Sequence, residues 1–393
     1  MALRNDIFER IAWWIVLFIL FGQSILGRFS FLSNVALGYI AIRNYYLYPF
    51  YNNWYRFSIG AFLLIMGYSF ALGNSPLLVV RFALILFFIF FSYIWKVDYK
   101  IFFKYLVFFS AILVVGLICL EIFLLFSSMA EYEILRGFVI QNNMGDVFFY
   151  HLYYKLELRG TPLVVFVYML SYVIDIFPTK YVKTFRLFYF VGIIFAGNFA
   201  YQLALLLFHI IKYVYEMIQN PSSRFRKIVF LFFMLILLGG VLTDFVSNTM
   251  EEKADISNAT RIDQAKVLIE DMSRNVVTLV FGSGLGHTIE VETEFRDYHG
   301  NIYYELQSLY MMNQLGLLGF TLFFAVNLVL AFRCITYPRL LFVYGIYLLY
   351  ACTNPYIWDT NHIIVIVSLL CAKSKIDNKR LRNEEGHLCL SSI

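Results

Sequence analysis

Charge is what this sequence has least of. Asp, Glu, Lys and Arg make up 15% of its 393 residues, against about 25% in soluble domains. Segments such as LFILFGQSIL, FALILFFIFFSYIW and FLFFMLILLGGVL cannot all be hidden inside one water-soluble core. Cysteine is also sparse. Cys119, Cys334, Cys352, Cys371 and Cys389 lie mostly in apolar runs, with no CxxC and no Cys/His cluster. That pattern argues against a disulfide framework or a zinc site. GxxxxGK(S/T), HExxH and GxSxG are missing, so nothing points to ATP use, zinc hydrolysis or a serine nucleophile. The polar segments hold no Asp-x-Asp pair. No cofactor and no metal are expected.

What is present is apolar length. Spanning a bilayer takes about 20 apolar residues per helix, and 61% of this chain is hydrophobic. Apolar runs place helices at roughly 10–27, 29–43, 57–72, 77–95, 105–126, 162–177, 185–197, 199–214, 228–246, 305–332, 339–352 and 361–372. The first run, Ile11 to Leu26, lacks a small-residue cleavage site and is read as a retained helix. Basic residues gather in short groups: Lys96, Lys100 and Lys104; Lys180, Lys183 and Arg186; Arg224, Arg226 and Lys227; Arg333 and Arg339; and a tail from Lys373 to Arg382. With about twelve spans, every group falls on one side of the bilayer. Merging 185–214 into one span would break that agreement. The expectation is an all-α polytopic membrane protein, a single integral membrane domain over 1–393 with about twelve transmembrane helices and both termini cytoplasmic. The net charge of +5 is then no sign of nucleic-acid binding, because in a membrane protein the distribution of Lys and Arg matters more than their sum.

Two longer segments then fall on the opposite face. One covers 127–161 and the other, the most polar part of the chain, covers 247–304. Loops of this length are usually functional or disordered. In the second, Ile262, Ala265, Leu268 and Ile269 form one apolar stripe at helical spacing, which predicts a short helix lying on the membrane domain. Asn258 stands where it can cap that helix.

Candidate residues come from these segments. The first supplies Arg136, Asp146, Lys155, Glu157 and Arg159, and the second Arg261, Arg274, His287, Glu290, Glu292, Glu294, Arg296, Asp297 and His299. Tyr303, Tyr304, Glu305 and Gln307 stand where the second segment runs into a helix. Arg159 precedes GTPLVVFVYML, at a helix mouth, where a planar, permanently charged guanidinium suits a phosphate and equally suits an anchor that snorkels to headgroups. Glu305 heads an apolar helix. A carboxylate at that depth is costly unless hydrated, paired or functional. It can serve as a base, or simply as a first-turn acid favoured by the helix dipole. His299 is a second base candidate. Asn198, Gln202, Gln314 and Asn327, inside apolar runs, fit helix–helix hydrogen bonds.

The stretch FGSGLGH, 281–287, follows the apolar run Val276 to Val280. In isolation it looks like a strand feeding a phosphate-cradling loop. No Lys-Ser/Thr closes it, and topology moves it to the external face, away from ATP. The glycines are better read as a tight turn that returns the Arg261 helix to the membrane.

The order RIDQAKVLI, then FGSGLG, then ELQSLYMMNQLGLLGF resembles the O-antigen polymerase and O-antigen ligase superfamily. The resemblance is carried by motifs in the C-terminal half and elsewhere by topology alone. It implies a bacterial inner-membrane protein with a large periplasmic loop near its C-terminus. Arg261 looks like the family's loop arginine, and Gly282, Gly284 and Gly286 like its glycine turn. Glu305 stands where ligases usually show histidine, a departure from the ligase pattern. LRGTPLVVF looks like the polymerase loop-to-helix junction, which would make Arg159 a second functional arginine. The Ser-Arg that family members often place near Gly197-Asn198 is absent, so no role is carried over to that turn.

The resemblance implies a polymerase of undecaprenyl-diphosphate-linked oligosaccharide units, with the growing glycan leaving its lipid carrier for the free end of the next unit. Arg159 and Arg261 would face the departing diphosphate. Glu305 would be the base, with His299 in reserve. Arg136, His299, Tyr303, Tyr304 and Gln307 would contact substrate, the tyrosines by stacking on sugars, although interface belts explain tyrosines equally well. A separate co-polymerase that sets chain length is an expected partner. Two alternatives stay open: a ligase acting on lipid A–core, and, from another class, a flippase of lipid-linked units.

Overall fold

The computed structural model describes residues 2–22, 30–47, 52–142, 144–150, 153–219, 260–290, 304, 306–334, 336–352, 354 and 356–390. The chain begins with α1 (Ala2–Phe21), α2 (Ser30–Leu47), α3 (Asn52–Ala71), α4 (Pro76–Ser92) and α5 (Tyr99–Phe126). A short helix α6 (Met129–Gln141) leads into a hairpin of β1 (Gly145–Tyr150) and β2 (Tyr153–Leu158). There follow α7 (Thr161–Leu170), α8 (Val182–Phe195) and α9 (Phe199–Gln219). Residues 260–273 form α10. It is followed by α11 (Val276–Phe281), α12 (Gln307–Cys334), α13 (Pro338–Cys352) and α14 (Thr360–Leu390).

The fold is therefore mostly helical, in keeping with an all-α class. Among the described residues two helices, Tyr99–Phe126 and Gln307–Arg333, are long and apolar enough to cross a membrane. Shorter apolar helices, among them Pro76–Ser92 and Pro338–Cys352, accompany them. The expected helix at 228–246 lies outside the described residues.

Local chemistry explains several boundaries. Asp98 caps α5 by accepting from Lys100 N, and α4 starts on Pro76, whose missing N–H costs nothing there. Ser128 and Glu131 form a reciprocal capping box at the start of α6. α8 and α9 stay separate, as expected, because Gly197 turns the chain at φ 61°. A Cβ there would come within 2.1 Å of Tyr154 O.

Segment 127–161 holds α6 and the hairpin. Two expectations need correction. The helix expected at 162–177 ends at Leu170, and the chain turns through Ser171 to Ile174. The run Val276 to Val280 is helical rather than a strand. Asn275 caps it by accepting from Thr278 N at 2.8 Å. That cap, with no strand among the described residues beside it to pair with, overrides the β-branched preference.

The two ends of the bundle differ in charge. At one end Arg333 donates to Tyr93 O, Lys373 to Arg333 O, Lys375 to Asp175 O and Arg186 to Ser171 O. Glu9, near the start of α1, pairs with Arg43 at 2.8 Å, and neighbouring Asn44 accepts from Lys96 N at the same end. The described basic groups thus gather together. The other end carries the hairpin, the α8–α9 turn, the glycine turn and the α13–α14 link.

Candidate functional site

The hairpin is built on alternation. Val147, Tyr154, Leu156 and Leu158 are buried on one face. Asp146, Phe148, Lys155 and Glu157 take the other, with cross-strand pairs Asp146–Glu157 and Phe148–Lys155. The free edge of β2 is satisfied by the bundle: Leu156 N donates to Ala196 O at 2.9 Å, and Tyr154 N to Glu121. A sheet edge closed in this way holds its polar face in one orientation.

That face is densely charged. Arg136 Nε lies 3.1 Å from Asp146 Oδ1. Arg136 and Lys155 both sit over the Phe148 ring, at 5.3 and 5.1 Å from its centroid. Lys155 Nζ contacts Glu157 Oε2 at 2.6 Å. The other Glu157 oxygen accepts from Tyr356 OH at 3.1 Å, which in turn accepts from Tyr201 OH at 2.7 Å. Arg159, just past β2, is half-buried, and its carbonyl accepts from Asn361 Nδ2 at 2.9 Å.

The α13–α14 link closes this cluster. Asp359 caps α14, with Oδ1 accepting from Asn361 N at 2.7 Å and Oδ2 from Asn361 Nδ2 at 2.7 Å. Its carboxyl is pushed up to about 7. Burial is the dominant cause, opposed by the bonds from Asn361 and His362 and by the positive charge of Arg159. Below it, His362 bonds Asn327 Oδ1 at 2.7 Å and Tyr347 OH at 3.2 Å.

The structure therefore brings Arg136 and Arg159 onto one surface, together with Lys155 and Glu157. Arg261 is exposed on α10, a different element. Tyr304 and Gln307 are buried and bonded to the protein's own backbone: Tyr304 OH donates to Ile289 O, and Gln307 Oε1 accepts from Tyr304 N. Glu305, His299 and Tyr303 lie outside the described residues. α10 nonetheless reaches the same end of the bundle, because Gln264 accepts from Leu306 N and Ser308 donates to Cys352 O beside the α13–α14 link. Sequence reasoning missed Asp359, Asn361, Tyr356 and Tyr201. The stretch WDTNH, a polar group heading the last apolar helix, was the available signal for the first two.

The glycine turn has a different job. α12 breaks at Gly316 (φ 66°, ψ 176°), which frees the carbonyls of Asn313 and Gln314 from their usual helical donors. Ser283 N and Gly284 N take them at 2.8 and 3.1 Å. Leu285 N donates to Ser69 Oγ and Gly286 N to Gln314 Oε1. With these amides used internally, the turn has no cradle to offer a phosphate. A Cβ on Gly282 would sit 2.2 Å from Gln314 O. Asp271 ties the turn to α10: Oδ2 accepts from Ser283 Oγ (3.1 Å) and Asn313 Nδ2 (2.9 Å) and meets His287 Nε2 (3.1 Å). The His287 bond, helped by those from Asn313 and Ser283, holds this carboxyl well below the usual range against the opposing effect of burial.

No family model, curated protein or solved structure matches the chain.

Proposed function

We propose that this protein is a bacterial inner-membrane glycosyltransferase that polymerises undecaprenyl-diphosphate-linked oligosaccharide units in O-antigen or related surface-polysaccharide synthesis. In this reading about twelve helices cross the bilayer, both termini are cytoplasmic, and the hairpin end faces the periplasm. Outward-facing apolar side chains on α5, such as Phe108, Ile112, Val115 and Phe126, fit lipid contact and would be a liability in water.

One observation carries the functional reading. A fixed face bearing Arg136, Lys155, Glu157 and Arg159 lies at the end opposite the gathered basic groups. Cations held there suit a diphosphate leaving group presented at the outer membrane surface, where nucleotides are absent. Arg159 is assigned to the departing diphosphate. Arg261 on α10 is a second cation for the same charge, and Glu305 is retained as a base candidate from the motif resemblance. The polymerase is preferred over a ligase because Glu305 replaces the ligase histidine.

The test is the product formed by the purified protein from lipid-linked repeat units. A ladder of multiples of the unit is expected. Transfer only to lipid A–core would favour the ligase, and movement of units across vesicles without bond formation would favour a flippase.

A further inference from the structure

Asp359 has an ordinary explanation as the cap of α14, and that alone would require nothing of its surroundings. Two features go beyond it. Asp359 is half-buried rather than sealed, and the groups around it come from three other elements: Arg159 after β2, Tyr201 on α9 and Tyr347 on α13. Glu157 also acts on Tyr201, so two carboxylates and a guanidinium share one corner. Asn361, 1% exposed, donates Nδ2 to both Asp359 Oδ2 and Arg159 O. The carbonyl of Arg159 can only accept, which fixes the orientation of the amide. Its Oδ1 is buried with no hydrogen-bond partner among the described residues. An orphan acceptor of this kind is destabilising and calls for a donor. A hydroxyl group entering beside Asp359 supplies one.

We propose that Asp359 and Asn361 form the acceptor-hydroxyl site, with Asp359 as the base that takes the proton of the attacking sugar hydroxyl. The inference rests on the polymerase reading and deepens it. The hydroxyl oxygen forms the new bond to the anomeric carbon, and the bond from that carbon to the diphosphate oxygen breaks. The proton passes to the Asp359 carboxylate, and the lipid diphosphate leaves as an anion facing Arg159. A carboxyl titrating near 7 matches this task at neutral pH. Asn361 Oδ1 accepts a hydrogen bond from a second hydroxyl of the same sugar.

The deciding variant is Asp359→Asn. Asparagine caps a helix as well as aspartate does, so the bond from Asn361 N that starts α14 is kept, while the base and the acceptor for Asn361 Nδ2 are lost. With purified protein and lipid-linked units, the turnover rate is expected to fall by about 100-fold or more. The wild-type rate is expected to rise with pH through about 7 and the residual rate of the variant to lose that limb. Asn361→Ala should raise the acceptor-unit KM more than it lowers kcat. Asp359→Asn working within a few-fold of an active wild type, with the pH limb intact, would overturn the base and leave only the cap. A wild type that forms no glycosidic bond overturns the polymerase reading, and the base with it.

Discussion

The amide of Asn361 holds the carbonyl of Arg159 at 2.9 Å, across 202 residues of sequence. The end of the hairpin and the start of the last helix are thereby fastened together. The backbone of Arg159 is thereby tied to the cap of α14, and in the proposed reaction this anchor limits the reorganisation needed.

Arg159→Ala should abolish long-chain polysaccharide in cells lacking the native gene and leave single-unit caps on a gel. Arg159→Lys should restore only part of the ladder, because a point charge lacks the bidentate fork. A normal ladder from well-expressed Arg159→Ala would remove Arg159 from the mechanism.

Gly282→Ala should destabilise the protein. A side chain at φ 83° is strained by about 1–3 kcal/mol, before its overlap with Gln314 O. Gly137→Ala makes the contrast: in helix α6 its Cβ meets nothing within 4 Å, and replacing a helical glycine adds about 0.5–1 kcal/mol. Thermal unfolding in detergent should lower the midpoint for the first and hold or raise it for the second. Equal midpoints would show that the turn tolerates a side chain.

Asp271 makes the glycine turn sensitive to acid. A carboxyl held low in the fold adds stability above its unfolded value of about 3.9 and loses it as pH falls below that value. Hydrogen-exchange protection of residues 276–287, corrected for intrinsic rate, should be flat from neutral pH to about 5 and then decline. Asp271→Asn should start with lower protection and lack the acid step. An unchanged acid profile in the variant would assign that step to another group.

Orientation can be read by labelling. In a cysteine-free background, Glu133→Cys on α6 should react with an impermeant maleimide in intact cells with the outer membrane permeabilised. Lys180→Cys should react only after the inner membrane is opened. The reverse pattern would invert the topology.

Much of the helical frame was legible from runs of apolar residues, and the break between α8 and α9 from Gly197 and charge balance. The hairpin was legible too, in the alternation YKLELR, yet the apolar surroundings hid it, because a six-residue period-two signal is weak beside helices several times longer. The tight packing of the glycine turn came through only in outline. Its motif indicates backbone freedom, but not that the freed carbonyls of Asn313 and Gln314 would occupy its amides.

By itself the sequence determined where apolar length lies, which ends of the bundle carry Lys and Arg, and which arginines stand at helix mouths. These are local properties, set by composition and period. Only the tertiary structure decided that Lys155, Glu157 and Arg159 face Tyr356, Tyr201 and Asp359. Those partners are separated by up to about two hundred residues, and no local pattern encodes such a meeting. It follows from closing the β2 edge on Ala196 and Glu121, which turns the charged side of the strand toward the last helix.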